Sequence, residues 1–191
     1  MSISKKIILA SNSPRRKELL AGLNIDFEVD TRNNFEEKFN YDVPHGKIPA
    51  MMSEGKSGGF HRELEENEIL ITSDTMVLCG DAVMGKPHSR EEAVRMLQML
   101  SGRSHEVITA VTIRDSRSQK TMSDTAIVHF RELTEQEIGY YVDNYKPYDK
   151  AGAYGIQEWI GYVGITGIEG SYYTIMGFPV HLVYQLLQEF I

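Results

Sequence analysis

The sequence predicts an α/β fold, and three observations lead to that prediction. Short runs rich in β-branched residues alternate with segments whose apolar residues recur at helical spacing, beginning with Lys6–Ala10 and Arg16–Leu23. The chain has 191 residues, 41% of them hydrophobic, and a chain of this length can bury about 70% of the surface that its unfolded form exposes. No internal repeat, low-complexity segment or interdomain linker is visible. We therefore expect one domain over residues 1–191.

The chain opens with a strand, a polar turn, a helix and a second strand. Ser13 can cap the helix with its hydroxyl, and Pro14 fits the first turn because its missing N–H would have no partner there. Gly22 can end the helix, and Ile25–Val29 is then predicted as the second strand.

An irregular loop and a weakened helix follow. Residues 31–49 are charged and aromatic without a clear period, which predicts a loop, and Ile48–Ser57 is predicted as a helix. Gly55, Gly58 and Gly59 weaken that helix, because each glycine in a helix interior costs about 1 kcal/mol relative to alanine.

The next segment is predicted to contain a buried strand. The charged stretch His61–Glu68 is expected to reach solvent, and Glu68–Cys79 reads as a strand with a polar interruption at Thr72–Thr75. Gly80-Asp81 then supplies a hairpin-like turn.

A helix and two neighbouring strands come after this turn. Ser89 with two following glutamates opens an amphipathic helix that Gly102 closes. Glu106–Ile113 and Thr125–Phe130 are predicted as antiparallel neighbours joined by a polar turn over Asp115–Lys120.

The last third is predicted to contain two helices, a glycine-rich patch and a strand. Thr134 heads a helix that Tyr145–Tyr148 breaks, and a glycine-rich patch over Ala151–Gly155 follows. Tyr162–Ile168 is predicted as a strand and Val180–Phe190 as a closing helix.

Composition excludes several classes of protein. The formal net charge is −7, which disfavours nucleic-acid polymers as ligands because they bind to clustered Lys and Arg. No apolar stretch approaches the roughly 20 residues that span a membrane. Cys79 is the only cysteine, so no intrachain disulfide or Cys/His zinc site is expected, and a reducing cytoplasmic location fits best.

A basic, hydroxyl-rich cluster lies where the first strand gives way to the first helix. Ser11, Ser13, Arg15, Arg16 and Lys17 surround a helix start, whose free N–H groups favour anions. Arginine adds bidentate phosphate recognition. The same residues are equally compatible with an ordinary helix start that has a solvated basic face.

Charged residues elsewhere are candidates for chemistry on a phosphate. Asp74 follows an apolar run, where its ionisation can be tuned or a metal held, although it could also cap a turn. Lys86 lies in the constrained turn Gly85-Lys86-Pro87 and Lys150 follows Asp149. Each could bind phosphate, although single lysines are usually solvated.

A nucleotide phosphate usually arrives with Mg²⁺, which proteins hold through one or two carboxylates. Glu37 is our candidate ligand, with Glu36 and Asp42 as competitors. Gln157 offers both a donor and an acceptor to a base. The glycines and tyrosines around Gln157 could admit a base or sugar, or could simply form turns.

Five short blocks occur in order along the chain. They are Leu9-Ala10-Ser11-Asn12-Ser13-Pro14-Arg15-Arg16, Ser73-Asp74-Thr75, Gly85-Lys86-Pro87, Leu100-Ser101-Gly102 with His105, and Asp149-Lys150-Ala151-Gly152-Ala153-Tyr154-Gly155-Ile156-Gln157. With Gly170-Ser171-Tyr172 and Gly177-Phe178-Pro179, they closely resemble the Maf-like family of nucleoside triphosphate pyrophosphatases.

This resemblance implies a fold and a reaction. The fold would be a bent mixed β-sheet flanked by helices, related to inosine triphosphate pyrophosphatases, with the active site in a cleft between two lobes. Asp74 would accept a proton from the water that attacks the α-phosphorus, and Mg²⁺ or Mn²⁺ would neutralise the phosphates. We expect Glu37, chosen above as a carboxylate ligand, to hold this cation together with Asp74. Pyrophosphate would leave.

The resemblance also implies roles for individual basic and polar residues. Arg15, Lys56, Lys86 and Lys150 match positions that stabilise phosphate charge. Arg15, Thr75 and Gln157 match positions that mark the branch that prefers dTTP and UTP.

One segment departs from the family pattern. The family commonly has a Leu-Ala-x-x-Lys-Ala helix, and the corresponding residues here are Met52-Ser53-Glu54-Gly55-Lys56-Ser57 followed by Gly58 and Gly59. Lys56 is retained, and we expect a weaker helix to present it.

Other functions stay open at this point. The same reaction could act on 7-methyl-GTP or another modified nucleotide, and a non-catalytic nucleotide-binding regulator of septum formation is also compatible with the resemblance. An interaction scaffold would need sustained heptads or a large apolar surface, which the sequence lacks. A homodimer is compatible with the sequence, because twofold assemblies are the most common soluble oligomers.

Overall fold

The computed structural model describes residues 4–38 and 43–191 and contains a mixed sheet flanked by helices. The strands are β1 Lys6–Leu9, β2 Phe27–Val29, β3 Glu68–Cys79, β4 Ala82–Met84, β5 Ser104–Arg114, β6 Gln119–Phe130 and β7 Ile165–Glu169. The helices are α1 Pro14–Ala21, α2 Ile48–Gly58, α3 Arg90–Leu100, α4 Glu135–Tyr145, α5 Trp159–Gly164, α6 Tyr172–Ile175 and α7 Val180–Leu187. Two 3₁₀ turns, His45–Lys47 and Ala151–Ala153, complete the order.

The strands form one seven-stranded sheet in the order β2-β1-β3-β5-β6-β7, with β4 paired to β3. β1 runs parallel to both β2 and β3, whereas β4 is antiparallel to β3 and β7 is antiparallel to β6. The predicted α/β class and mixed sheet are therefore confirmed. β5 and β6 are neighbours, as the alternating pattern predicts.

The chain divides into two compact units. The first comprises Met1–Asp74, Thr109–Asp124 and Gly177–Ile191, and the second comprises Thr75–Ile108 and Thr125–Met176. Each unit has its own apolar core. The core of the first unit packs β1 and α7 residues such as Ile7 and Val183, and that of the second packs α3 and α4 residues such as Leu97 and Val142.

The residues that the sequence predicts at three helix starts do cap those helices. The hydroxyls of Ser13, Ser89 and Thr134 accept hydrogen bonds from the first turns of α1, α3 and α4, and Thr134 forms a full capping box with Glu137. α3 ends at Leu100, slightly before the predicted stop at Gly102. Across residues 4–38 and 43–191, no helix is long and apolar enough to cross a membrane.

The predicted exposure of the charged stretch before β3 is wrong at Glu68. This residue is only 2% exposed, and its carboxylate accepts hydrogen bonds of 2.6 and 2.9 Å from Arg62. The polar residues that follow do not end the strand. Thr72 and Ser73 are buried within a continuous β3, and the Thr72 hydroxyl donates to the Ser53 carbonyl at 2.7 Å. Partners in the preceding loop and on α2 thus satisfy the buried side chains of Glu68 and Thr72, whereas the Ser73 hydroxyl has no hydrogen-bond partner among the described residues.

The predicted strand over Tyr162–Ile168 is half wrong. Residues 159–164 form helix α5, and β7 begins only at Ile165. Ile160 and Gly164 are buried while Tyr162 is 80% exposed, which is the pattern of a helix rather than of a strand. A side chain at Gly161 would clash with the Ile156 carbonyl, so glycine allows this helix to pack closely on the preceding turn.

Candidate functional site

The two arginines at the start of α1 occupy different environments. Arg16 donates from Nε to the Gly177 carbonyl and from Nη1 to the Ser73 carbonyl, both at 2.8 Å. Burial lowers its pKa to about 10. Arg15 is half-buried at the first turn of the helix. Arg16 therefore ties α1 to the middle of β3 and to the segment before α7, and Arg15 is the arginine better suited to a ligand.

The hydroxyls of the first motif shape the turn before α1. Ser11 is buried, and its Oγ accepts from the backbone N–H of Ser13 at 3.2 Å. The Oγ of Ser13 in turn accepts from the Arg16 N–H at 3.4 Å. Both serines thus hold the backbone at the start of α1, where N–H groups favour an anion.

Two carboxylates meet at one lysine in the first unit. Lys56 Nζ lies 2.6 Å from Asp74 Oδ1 and 2.8 Å from Glu37 Oε1. Asp74 comes from β3, Lys56 from α2 and Glu37 from the loop before α2. The structure thereby brings together three predicted site residues that are far apart in sequence.

The environment of Asp74 opposes its ionisation. Its side chain is 18% exposed, and burial raises the pKa of this carboxyl above its ordinary value, while the ammonium of Lys56 acts in the opposite direction. A carboxylate with a raised pKa is a stronger proton acceptor than an exposed one, which suits a general base.

The helix that presents Lys56 forms in spite of its glycines. α2 continues to Gly58, and its buried Ser53 and Ser57 are hydrogen-bonded. The Ser57 hydroxyl donates to Gln119 Oε1 at 3.1 Å, and its carbonyl accepts from Arg114 Nε at 3.2 Å. Tertiary hydrogen bonds therefore offset the low helix propensity that the sequence indicated.

The carboxylates of Glu37 and Asp74 could hold a hard divalent cation. The Lys56 ammonium already occupies a position that two carboxylate oxygens approach, and Mg²⁺ needs only one or two such ligands besides phosphate oxygens and water. Within the described ranges, no group of three or more His, Cys, Asp or Glu forms a metal cluster. Glu36 instead pairs with Lys38 at 2.7 Å, and Asp42 lies outside the described residues.

The second unit carries a compact network around Lys150. This lysine is 8% exposed, and its Nζ lies 2.8 Å from Asp149 and 3.1 Å from Glu158. Glu158 also accepts a hydrogen bond from the Tyr141 hydroxyl, which accepts from the Gly155 N–H at 3.0 Å. The network fixes both Lys150 and the turn that leads to Gln157.

Gln157 carries an unsatisfied acceptor. Its Oε1 is buried and has no hydrogen-bond partner among the residues that the structure describes. A buried amide oxygen without a donor costs roughly 1–3 kcal/mol, so a ligand that supplies an N–H would be favoured there. Thr75 is half-buried on β3 in the same unit.

The remaining predicted residue, Lys86, is exposed in its turn. The carbonyl of Gly85 accepts from the Gly152 N–H at 3.1 Å, which links this turn to the segment after Lys150. Sequence reasoning missed Tyr141 and Glu158. The only signal for Glu158 was an acidic residue directly after Gln157, and Tyr141 looked like an ordinary inner-face residue of α4.

The family comparison and the similar relatives agree on one family. The Maf-like protein family matches residues 6–190. The chain is 46% identical over 187 residues to a dTTP/UTP pyrophosphatase of Porphyromonas gingivalis, covering 97% of this chain and 94% of that protein. It is 48% identical over 185 residues to a protein of the same name from Parabacteroides distasonis, covering 97% and 96%. A solved structure of a HAM1 protein from Coxiella burnetii has 15% identity and a TM-score of 0.49, covering 97% of this chain and 99% of that one.

Proposed function

The chain belongs to the Maf-like protein family, and from that premise we propose that it hydrolyses dTTP and UTP to the monophosphate and pyrophosphate. Its relatives named dTTP/UTP pyrophosphatase are similar over nearly their whole length. The observation that carries the proposal is the contact of Lys56 with both Asp74 and Glu37, since it combines a proton acceptor, a cation and a second carboxylate. Modified pyrimidine nucleotides are included in the proposal.

Asp74 is the general base of the proposed reaction. It accepts a proton from the water whose oxygen bonds to the α-phosphorus, and the bond from that phosphorus to the bridging oxygen breaks, so that pyrophosphate leaves. Burial of Asp74 increases its basicity. Lys56 lies beside it and stabilises the negative charge that develops on the phosphoryl oxygens.

Glu37 and Asp74 are the proposed ligands of Mg²⁺ or Mn²⁺. The cation would neutralise the triphosphate together with basic side chains. Arg15, with Ser11 and Ser13 at the start of α1, and Lys86 and Lys150 in the second unit, are proposed to bind phosphate. Glu37 is 53% exposed, so it is accessible to an arriving cation.

Thr75, Gln157 and Arg15 are proposed to select the base. The free acceptor at Gln157 suits an N–H such as that of a thymine or uracil ring. We also propose a cytoplasmic location, on the basis of the single free cysteine. A homodimer remains a prediction that sedimentation can test.

The first experiment measures monophosphate and pyrophosphate from a panel of canonical and modified nucleoside triphosphates with Mg²⁺ or Mn²⁺. We expect release from dTTP and UTP, and its loss in Asp74→Asn. Asp81→Asn, an exposed turn variant, should keep full activity. Removal of a general base typically costs about 10²–10⁴-fold in rate.

Two other outcomes would change the assignment. Turnover of 7-methyl-GTP alone would retain the reaction and refute the base assignment. Binding of nucleotides without turnover by folded protein would refute the enzyme and favour the nucleotide-binding regulator.

A further inference from the structure

Asn33 and Phe35, in the segment before α2, lie directly against Gly55 and Gly59, two of the glycines that depart from the family pattern. We propose that Phe35 and Gly55 are positioning residues that hold Glu37 beside Lys56 and Asp74 and so shape the cation site. The inference rests on the proposed function only for the identity of the cation's ligands. It gives a role to glycines that otherwise only weaken a helix.

The ring of Phe35 occupies the space that a side chain at Gly55 would need. A Cβ at Gly55 would clash with three atoms of that ring. One turn further along, a Cβ at Gly59 would lie 2.6 Å from both Asn33 Oδ1 and Phe35 Cβ. Gly58, between them on another face, would meet nothing within 4 Å. Close packing against Asn33 and Phe35 therefore requires glycine at positions 55 and 59 but not at position 58.

Hydrogen bonds fix the register of the segment on the helix. Asn33 Nδ2 donates to the Lys56 carbonyl at 2.6 Å, and Asn33 Oδ1 accepts from the Phe35 N–H at 2.8 Å. The Asn34 N–H donates to the Gly59 carbonyl at 2.7 Å. Asn33 thus binds the backbone of the residue whose side chain contacts Glu37.

The contacts of Asn33 and Phe35 with α2 explain why Glu37 has a defined position although it is exposed. Glu37 is 53% exposed, and an exposed ion pair such as that with Lys56 contributes little by itself. Two residues earlier, the Phe35 ring rests on Gly55 and anchors the backbone. Gly55 lowers the stability of the helix by about 1 kcal/mol relative to alanine. It also leaves the space in which the Phe35 ring packs, and this packing positions the carboxylate of Glu37.

The test is a titration of the protein with Mn²⁺ alone, in which binding is measured by the relaxation rate of water protons. No nucleotide is present, so the result does not depend on whether dTTP or UTP is a substrate. We expect Gly55→Ala to weaken Mn²⁺ binding about tenfold, the lower range for loss of an outer-shell contact at a metal site. Gly58→Ala, on the same helix but with free space, should bind Mn²⁺ as the unmodified protein does.

A double-mutant cycle separates positioning from general destabilisation. Glu37→Gln should weaken Mn²⁺ binding, and adding Gly55→Ala to it should have little further effect, because both changes remove the same ligand. Phe35→Ala should reproduce the Gly55→Ala result without adding bulk to the helix, so the inference stays testable if Gly55→Ala does not fold. Unchanged Mn²⁺ binding in Phe35→Ala, additive losses in the cycle, or no Mn²⁺ binding by the unmodified protein would overturn the inference.

Discussion

His105 is a buried histidine that does not need to ionise. Its Nε2 lies 2.7 Å from the Tyr154 hydroxyl, and its ring stacks on Phe130. Burial lowers the pKa of His105 from 6.5 to about 4. The folded protein therefore holds the neutral form, and the other ring nitrogen, Nδ1, has no partner in the described part of the chain.

The lowered pKa of His105 makes the stability of the protein depend on pH. As pH falls below 6.5, His105 gains a proton in the unfolded chain but not in the folded one, so stability is lost until the pH reaches about 4. Between pH 7 and pH 5 we expect His105 to contribute a loss of about 2 kcal/mol in the free energy of unfolding. Urea unfolding of the unmodified protein and His105→Gln at both pH values measures it. Equal losses in the two proteins would contradict the assignment.

Gln157 makes a second prediction at this scale. Replacement by Met keeps the bulk but removes the free acceptor at Oε1. We expect the ratio of kcat/KM for dTTP over GTP to fall about tenfold, since a lost hydrogen bond to a substrate N–H is worth roughly 1–3 kcal/mol. Turnover of dTTP at saturation should change less than this ratio. A uniform fall for all bases would assign Gln157 to structure instead.

At the scale of elements, α4 supports the turn that carries Gln157. The Tyr141 hydroxyl joins the Gly155 N–H to Glu158, which also contacts Lys150. Burial and the hydrogen bond to Glu158 raise the pKa of Tyr141 well above its ordinary value, so it remains a donor at any working pH. α4 thus acts on the turn through one hydroxyl.

We expect Tyr141→Phe to lower stability by about 1–3 kcal/mol, because it leaves the buried Gly155 N–H without an acceptor. It should also raise KM for dTTP, since Glu158 and Lys150 lose part of their network. Tyr140→Phe is the matched control, because Tyr140 is adjacent on the helix and 49% exposed. Thermal melts and steady-state kinetics of both variants test this, and equal effects would refute the role of the hydroxyl.

At the scale of the whole molecule, three strands cross the boundary between the two compact units. β3 changes unit after Asp74, β5 after Ile108 and β6 after Asp124. Because each of these strands contributes residues to both units, we expect the two units to unfold together. The single domain predicted for residues 1–191 therefore remains our proposal.

Calorimetry tests that proposal. We expect one unfolding transition whose calorimetric enthalpy equals its van't Hoff enthalpy, as for small cooperative domains. Two resolved transitions would show that the units unfold independently. Added Mn²⁺ should raise the transition temperature, because a ligand that binds the folded state stabilises it by mass action, and Glu37→Gln should reduce that rise.

The sequence by itself determined the features that depend on near neighbours. Helix starts at Ser13, Ser89 and Thr134 follow from a hydroxyl within three residues of the N–H that it caps. Strand β1 and the class of fold follow from local periodicity, and family membership follows from the ordered motifs. Asp74 and Lys56 could also be predicted, because they match positions of the family's motifs, whereas Glu37 was one of three candidate carboxylates in the loop before α2.

Only the tertiary structure decided features that depend on partners distant in sequence. Glu68 is buried because Arg62 neutralises its charge. Arg16 has a structural role that Arg15 does not share, because it donates hydrogen bonds to the carbonyls of Ser73 and Gly177. Residues 162–164 are helical although the sequence predicts a strand there, since packing outweighs weak local preference in so short a segment. The cost of burying a polar group is set by the group that meets it, and that group is known only when the chain has folded.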